Sequence, residues 1–391
     1  MTAAREPSAV EALRVELCRE ADVPLLMQFI GAHWRAGHIL SRDESLLRWQ
    51  FAPALLPGRN PPGPTVLLAW CDGQIAGMLG LTGFALNVNG ERFPSLWLSH
   101  MFASPEHRGR NVALRLLWAA RDLGSEAVAT LGANAIATRL LARLGFAVLP
   151  DLPRWVGVFD PARAAALIHA ANSTVSTQEA ERFCVDHGVV TSPPAGSDNA
   201  CRAVTWSRET AAGWERCWRE RVAPRLVGGS RDAAYLEWRY VTHPRFTYEV
   251  RFARRDEDGE VEGVMVCRVE QVRDQETRVL RIVEFLASPA GAPSLVRSII
   301  EIARTADVAF ADFHCSSACC AQALTNVGFR LQTRASGTAV FPSRFQPLEG
   351  GEAPMSPLVQ LPPAWRAPLH DLLEKGRVYI TKSDGDQDRP N

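Results

Sequence analysis

The stretch ASPEHRGRNVALRLL, residues 103–117, collects the residue types that hold a phosphate. The chain turns through Pro105, Arg108 and Gly109, and beyond them Val112, Leu116, Ala119 and Leu123 recur at helical spacing. A strand-to-helix junction is therefore expected here. The first N–H groups of a helix have no partner within it, and the helix dipole makes that end positive. Together they form an anion site suited to a pyrophosphate. Gly109 lets a ligand approach the backbone, Ala113 is small enough to avoid a clash, and Arg108 and Arg110 add charge. Histidine is the second chemical signal. His100 alternates with Leu96, Leu98 and Phe102 on one strand face, where an imidazole suits a general base or a hydrogen-bonded core residue. His38 is the competing base, and His314 ranks third.

The elements around these residues follow from periodicity. Helical patterns cover 22–36 and 43–51, the second capped by Asp43. Pro and Gly make 53–64 a loop. Strands at 65–71, 74–86 and 93–103 are separated by the hairpin signals Asp72-Gly73 and Asn89-Gly90. Helix 109–123, strand 127–133, helix 135–145 and strand 146–149 complete the unit. The order predicts an α/β fold with a mixed sheet, hairpin-joined at first, its last two strands joined by a crossover helix and hence parallel.

The second half repeats the first. DESLLRWQF (43–51) matches DAAYLEWRY (232–240), and LARLGF (141–146) matches LTNVGF (324–329) at nearly the same offset, an internal duplication. The expected organisation is a flexible leader (1–12), a first domain (13–160), a connector (161–200) with a boundary loop at 192–199, a second domain (201–347), and a tail (348–391). In the tail, residues 379–381 are able to add a strand to a sheet, and the acidic end reads as solvated. The counterpart of the phosphate junction, ASPAGAPSLVRSII (287–300), has no arginine in its turn, so no second site is expected.

Bulk properties narrow the partners. The 391 residues hold 43 basic and 43 acidic side chains, which disfavours a nucleic-acid partner. No run approaches the ~20 apolar residues of a membrane span, and 1–12 lack a signal-peptide pattern. Nine scattered cysteines fit a reducing, cytoplasmic setting. His314, Cys315, Cys319 and Cys320 lack the paired spacing of a zinc site, so no metal is expected.

The junction resembles the CoA-binding motif of GNAT acetyltransferases, Q/R-x-x-G-x-G/A. Arg108 takes the first place, Gly109 the next and Ala113 the last, with Asn111 where the family has its second glycine. Asn134 and Leu144-Gly145-Phe146 stand where the family places N…LGF. The resemblance implies two tandem GNAT-like domains and an acyl-CoA co-substrate held by residues 108–113, including Arg110 and Val112, with Asn134. It also implies a thioester polarised by the backbone near Met101, Phe102 and Ala103, and an acceptor pocket bordered by His33, Trp34 and His38. Many relatives carry a Tyr as acid for the leaving thiolate; Leu141 stands there, so the thiolate is expected to leave unaided or through water.

The histidine-rich segment 33–40, the YLEWRYVTHP segment (235–244) and the acidic end together resemble sugar N-acyltransferases of bacterial surface-polysaccharide biosynthesis. That resemblance implies a nucleotide-linked amino sugar as acceptor. Arg239 and His243 would meet its diphosphate, Trp238 or Tyr240 its base, and Asp384, Asp386 or Arg389 its hydroxyls, while Trp238 also reads as core. The alternatives are a tandem GNAT enzyme for another amine (aminoglycoside, thiol-cofactor precursor or peptide) and a non-catalytic acyl-CoA-binding protein.

Overall fold

The computed structural model describes residues 13–56, 60–191, 200–332, 339–350, 355–366, 368–385 and 387–388. The leader 1–12 and the boundary loop 192–199 lie outside the described residues. Two compact units are present: Met1–Phe84 with Leu96–Val128, and Ala85–Ser95 with Ala129–Asn391.

The first unit opens with a strand that the periodicity did not reveal, β1 (Arg14–Leu17), too short to display a pattern. It pairs antiparallel with β2 (Val66–Cys71), Leu17 opposite Leu67. Between them lie α1 (Val23–Phe29), prolonged by a π turn to Trp34, and α2 (Glu44–Gln50). The Asp43 carboxylate caps α2 as expected, accepting from Leu46 N at 3.0 Å. β3 (Gln74–Val88) and β4 (Glu91–Ala103) follow. Both hairpin turns place their Asn/Asp-Gly pairs at positive φ (Asp72 51°, Gly73 75°; Asn89 53°, Gly90 97°), which type I′ turns require. α3 (Val112–Arg121) and β5 (Ala127–Leu131) come next. Leu26, Phe29 and Ile30 from the first helix pack with Leu46, Leu47 and Phe51 on Val66, Leu68 and Met78. Each such side chain contributes about 1.5–3 kcal/mol. Gly80 admits this packing, because a Cβ there would lie 2.6 Å from the Phe51 ring.

The second unit continues with α4 (Ala135–Arg143), β6 (Ala147–Val148), β7 (Arg154–Val158), α5 (Pro161–Ala171), α6 (Thr177–His187), β8 (Cys201–Thr205), α7 (Arg208–Cys217), β9 (Val227–Gly229) and α8 (Ala233–Leu236). Then come β10 (Glu249–Arg255), β11 (Val261–Gln271), β12 (Arg278–Ala287), α9 (Ala292–Thr305), β13 (Val308–His314), α10 (Ala318–Thr325) and β14 (Arg330–Leu331). β15 (Arg344–Phe345) and β16 (Leu348–Glu349) form a small hairpin, and β17 (Pro357–Gln360) and β18 (Val378–Tyr379) end the series. The sheet runs β14-β7-β13-β12-β11-β10-β8, antiparallel from β8 to β12 and parallel between β12 and β13. Leu295, Val296, Ile299, Ile300 and Ala303 form the buried stripe of α9, spaced at helical period.

The duplication is visible in the backbone. The series β10-β11-β12-α9-β13-α10-β14 repeats β2-β3-β4-α3-β5-α4-β6. Asp232 caps α8 as Asp43 caps α2, accepting from Tyr235 N at 2.8 Å. Gly145 (φ 89°) and Gly328 (φ 103°) close α4 and α10 alike, with Phe146 N donating to Leu141 O and Phe329 N to Leu324 O.

Two expectations are corrected. The strand at 147–148 does not pair with β5, because β17 lies between them and pairs antiparallel with β6. In the other sheet β7 takes the matching place between β13 and β14. Each copy thus lends the other a strand from beyond its own last repeat element, which covers edges that short terminal strands leave exposed. The acidic end is not a solvated tail: Ser383, Asp384 and Asp388 are buried. Val378–Tyr379 pair as β18, parallel to β9, and Thr381 makes an isolated bridge with Cys315. Among the described residues no helix is long and apolar enough to cross a membrane.

Candidate active site

The strand-to-helix junction of the first unit is a tight, glycine-containing turn. Ser104 N bonds to Ala76 O at 2.9 Å, a single 3-10 turn (Pro105–His107) reverses the chain, and Gly109 follows at φ 85°. Asn111 adopts the left-handed region (φ 58°, ψ 30°) as N-cap of α3, and its side chain makes no capping hydrogen bond. The first-turn amides therefore have neither an intrahelical acceptor nor a side-chain cap. A Cβ on Gly109 would meet nothing within 4 Å, so the space before the turn is open. Gly77 sets the opposite constraint. A Cβ there would lie 2.5 Å from Val112 Cγ1 and 2.8 Å from Phe102 O, so its absence lets the start of α3 press onto β3 and β4. Val112 is buried in that contact and Ala113 half-buried behind it. Arg108 is exposed at the turn, whereas Arg110 is half-buried and donates to Cys71 Sγ.

The histidines of the same unit meet in a ring of aromatic side chains. His100 is buried, and its φ of 50° breaks the regular course of β4 just before Met101, Phe102 and Ala103. Left-handed backbone inside a strand is unfavourable for a non-glycine residue, and such positions cluster where a site must be aimed. Around the His100 ring stand Trp34 at 5.3 Å, His38 at 5.5 Å and Phe51 at 6.0 Å between centroids. Phe102 extends the cluster to Trp34 (6.0 Å), Phe29 (6.1 Å) and His33 (6.3 Å). Trp34 is 38% exposed and forms the accessible side of the cluster. His38 Nδ1 accepts from Leu40 N at 3.2 Å. A ring that accepts at Nδ1 carries its proton on Nε2 and offers it there as a donor. Sequence reasoning named neither Phe29 nor Phe51 as a site residue and had no signal for the His100 backbone.

The second group of nominated residues lies in the second unit, mostly in internal pairs. Buried Arg239 donates to Asp388 Oδ1 at 2.5 Å and to Ser383 O. Burial opposes its charge, but Asp388 outweighs that and holds its pKa well above the usual value. Tyr240 donates to Glu284 Oε1 at 2.6 Å, and burial pushes its hydroxyl pKa well up. His243 Nδ1 accepts from Arg245 N and Phe246 N at 3.1 Å. Trp238 is half-buried against Tyr235. Asp384 accepts from Arg231 Nη2 at 2.6 Å and Thr381 N at 2.8 Å. His314 is buried 3.8 Å from Asp312, and burial and then Lys382 push its pKa well down. Asn134 caps α4, accepting from Ile136 N and Ala137 N. Asp386 and Arg389 lie outside the described residues. Among the described residues no group of His, Cys, Asp or Glu is placed to hold a metal ion.

Known proteins share this fold. Residues 47–148 match the sequence model of an acetyltransferase (GNAT) domain, so that segment is a GNAT acetyltransferase domain, the fold of acyl-CoA-dependent acyltransferases. Acyl-CoA is the co-substrate of that class. The whole chain is similar in fold to a GCN5-related N-acetyltransferase from Anabaena variabilis (10% identity, TM-score 0.56, covering 89% of this chain and 72% of that one). It is also similar to N-myristoyltransferase of Saccharomyces cerevisiae, solved with bound myristoyl-CoA (7% identity, TM-score 0.53, 91% and 84%). A probable N-acyltransferase from Enterococcus faecalis aligns with 13% identity and TM-score 0.49 over 77% of this chain; this chain spans 64% of that protein's length. No curated protein matches the sequence.

Proposed function

We propose that the chain transfers an acetyl or short acyl group from acyl-CoA to the amino group of a small molecule by direct attack on the thioester. The observation that carries this reading is the placement of His100 on the strand that leads into the phosphate junction, at positive φ and within an aromatic ring. The amides of Gly109, Asn111, Val112 and Ala113, with exposed Arg108, hold the pyrophosphate. Backbone groups at Met101, Phe102 and Ala103 polarise the thioester oxygen. The amine forms the new C–N bond, the C–S bond breaks, and His100 takes the ammonium proton while the thiolate leaves. Leu141 offers no proton, so the thiolate is protonated by water. His38 orients the reacting groups as a donor, and His33 and Trp34 border the acceptor.

A nucleotide-linked amino sugar is the acceptor that the narrower sequence resemblance suggests. A second reading is favoured by the internal pairing of Arg239 and Asp384 and by the aromatic lining around His100. It is a small amine with a planar or apolar body. Thiol release from acetyl-CoA, followed against UDP- and dTDP-amino sugars, aminoglycosides, peptide amines and arylalkylamines, separates the two. Release with one nucleotide amino sugar alone supports the first, and release with arylalkylamines alone supports the second. Acyl-CoA binding with no release from acetyl or longer acyl donors for any amine would overturn the enzymatic reading.

A further inference from the structure

Away from the phosphate junction, the second unit carries a row of buried charges on one face of its sheet. Arg268 on β11 and Arg281 on β12 stand directly opposite one another in register. Like charges so placed repel. They share a single carboxylate oxygen: Glu270 Oε2 accepts from Arg268 Nη2 at 3.0 Å and from Arg281 Nη1 at 3.3 Å. Arg281 Nε turns to Asp312 Oδ1 at 2.7 Å, but Asp312 Oδ2 already accepts from Arg154 Nε and Nη2 at 3.0 and 2.8 Å. Lys382 lies in the same cluster, its Nζ donating to Ser343 O at 3.1 Å. Three guanidinium groups and an amine therefore face two carboxylates. The next acid, Asp388, pairs with Arg239 and Tyr248, gives Arg268 its backbone carbonyl and acts on Arg281 through its charge.

The surplus is deeply placed: Arg268, Arg281 and Lys382 are 5%, 4% and 6% exposed. Buried cations need partners, and undonated N–H groups in such a place are unfavourable. Yet Arg268 Nε and Arg281 Nη2 have no hydrogen-bond partner among the described residues, nor does Gln332 Nε2, on the side chain that accepts from Arg154. Phe345 lies 4.8 Å from the Arg281 guanidinium carbon, and Phe246 4.9 Å from that of Arg268. Those ring faces offset part of the charge but accept none of the remaining in-plane donors well. The surplus field is also felt by Lys382, whose pKa is pushed well down by burial and then by Arg281.

We propose that Arg268, Arg281 and Lys382 form a binding site for a small oxyanion, of phosphate or sulfate type, inside the second copy of the fold. Several acceptor oxygens on one compact dianion meet the two undonated guanidinium N–H groups and the lysine amine together. The site uses none of the residues of the phosphate junction, and it gives the second copy a ligand of its own.

The test is thermal unfolding of the full chain, exchanged into chloride buffer and titrated at constant ionic strength with inorganic phosphate, sulfate, acetate and a sugar phosphate monoester. A saturable rise in Tm with phosphate or sulfate is expected, with acetate weaker. The monoester arm reports whether the site takes free or esterified phosphate. Lys382→Met and Arg268→Gln should weaken the apparent Kd by about tenfold or more, while acyl-CoA binding is unchanged. A rise that is linear in anion and identical in wild type and variants is general salting and overturns the site, as does no rise at all. Should the variants fail to fold, ion chromatography of the desalted, denatured wild type decides: phosphate or sulfate released in stoichiometric amount supports the site, and none released, with no saturable shift, overturns it.

Discussion

The two copies of the fold reach the same point, an Ala-Ser-Pro turn leading into a helix, and treat it in opposite ways. After β4 the turn is open: Gly109 faces empty space, Asn111 leaves the helix amides uncapped, and Arg108 stands exposed beside them. After β12 the turn is closed. Gly291 N donates to Ser288 O and Oγ, Ala292 N to Ser288 O, and Ser294 Oγ to Gly291 O. A Cβ on Gly291 would lie 2.9 Å from Glu262 and 3.0 Å from Ala253. The contrast extends three residues back along the strand. His100 sits among aromatic rings, while its counterpart Glu284 is buried under Arg231 (2.7 Å), Tyr240 (2.6 Å), Tyr379 (2.8 Å) and Ser383 (3.0 Å). One backbone plan thus carries an open, glycine-lined turn in the first copy and a turn packed against its own strands in the second.

Substitutions at paired positions should break along this line. His100→Ala is expected to lower kcat by about 100-fold or more with little change in stability, read by thiol release and thermal melts. Glu284→Ala should do the reverse, costing about 3–5 kcal/mol of stability by leaving Arg231 Nε and the buried Tyr240, Tyr379 and Ser383 hydroxyls without their shared carboxylate, read by urea unfolding. Gly109→Val should weaken acyl-CoA binding by about tenfold or more, since a β-branched residue resists positive φ, whereas Gly291→Ala should lower Tm and spare binding.

Acid should test the buried node next. Burial raises the Asp312 carboxyl pKa, but Arg281 and then Arg154 outweigh it and hold it well below the usual range. A depressed acid contributes stability above its unfolded pKa of about 3.9, lost as pH falls below that value. His314 is held neutral, so the unfolded chain binds its proton first, from about pH 6.5 downward, and stability falls there too. Asp312→Asn should flatten the lower step of a stability-versus-pH curve. The smallest effect concerns the caps: Asp43→Ala should cost about 1 kcal/mol, and Asp232→Ala more, because Asp232 is also buried and bonded to Ser230.

What the sequence made legible was local. Helix caps at Asp43 and turn pairs at positive φ depend on neighbours a few residues apart and stand where spacing placed them, whereas the α3 stripe keeps Val112 and Leu116 but buries Leu117 and Ala120 in place of Ala119 and Leu123. The duplication was legible for the same reason, since Asp-capped helices and glycine-closed helices recur as short words. Non-local pairing was not legible. β17 reaches β6 across more than two hundred residues, and no period in either segment marks it. The acidic end misled because charge usually means solvent. Here Asp384 and Asp388 answer Arg231 and Arg239, and each arginine reads alone as a surface residue or a ligand contact. At the site, spacing named His100 and Gly109, but the φ of His100 and the ring of Phe29, Phe51 and Phe102 depend on packing that no window of sequence contains.

The measurement that bears most directly on the contrast between the copies is calorimetric titration of the full chain with a non-hydrolysable acyl-CoA analogue, beside Gly109→Val and Gly291→Ala. A single site per chain, lost in Gly109→Val and kept in Gly291→Ala, is the result this account predicts. Two sites per chain, or binding that survives Gly109→Val unchanged, would contradict it.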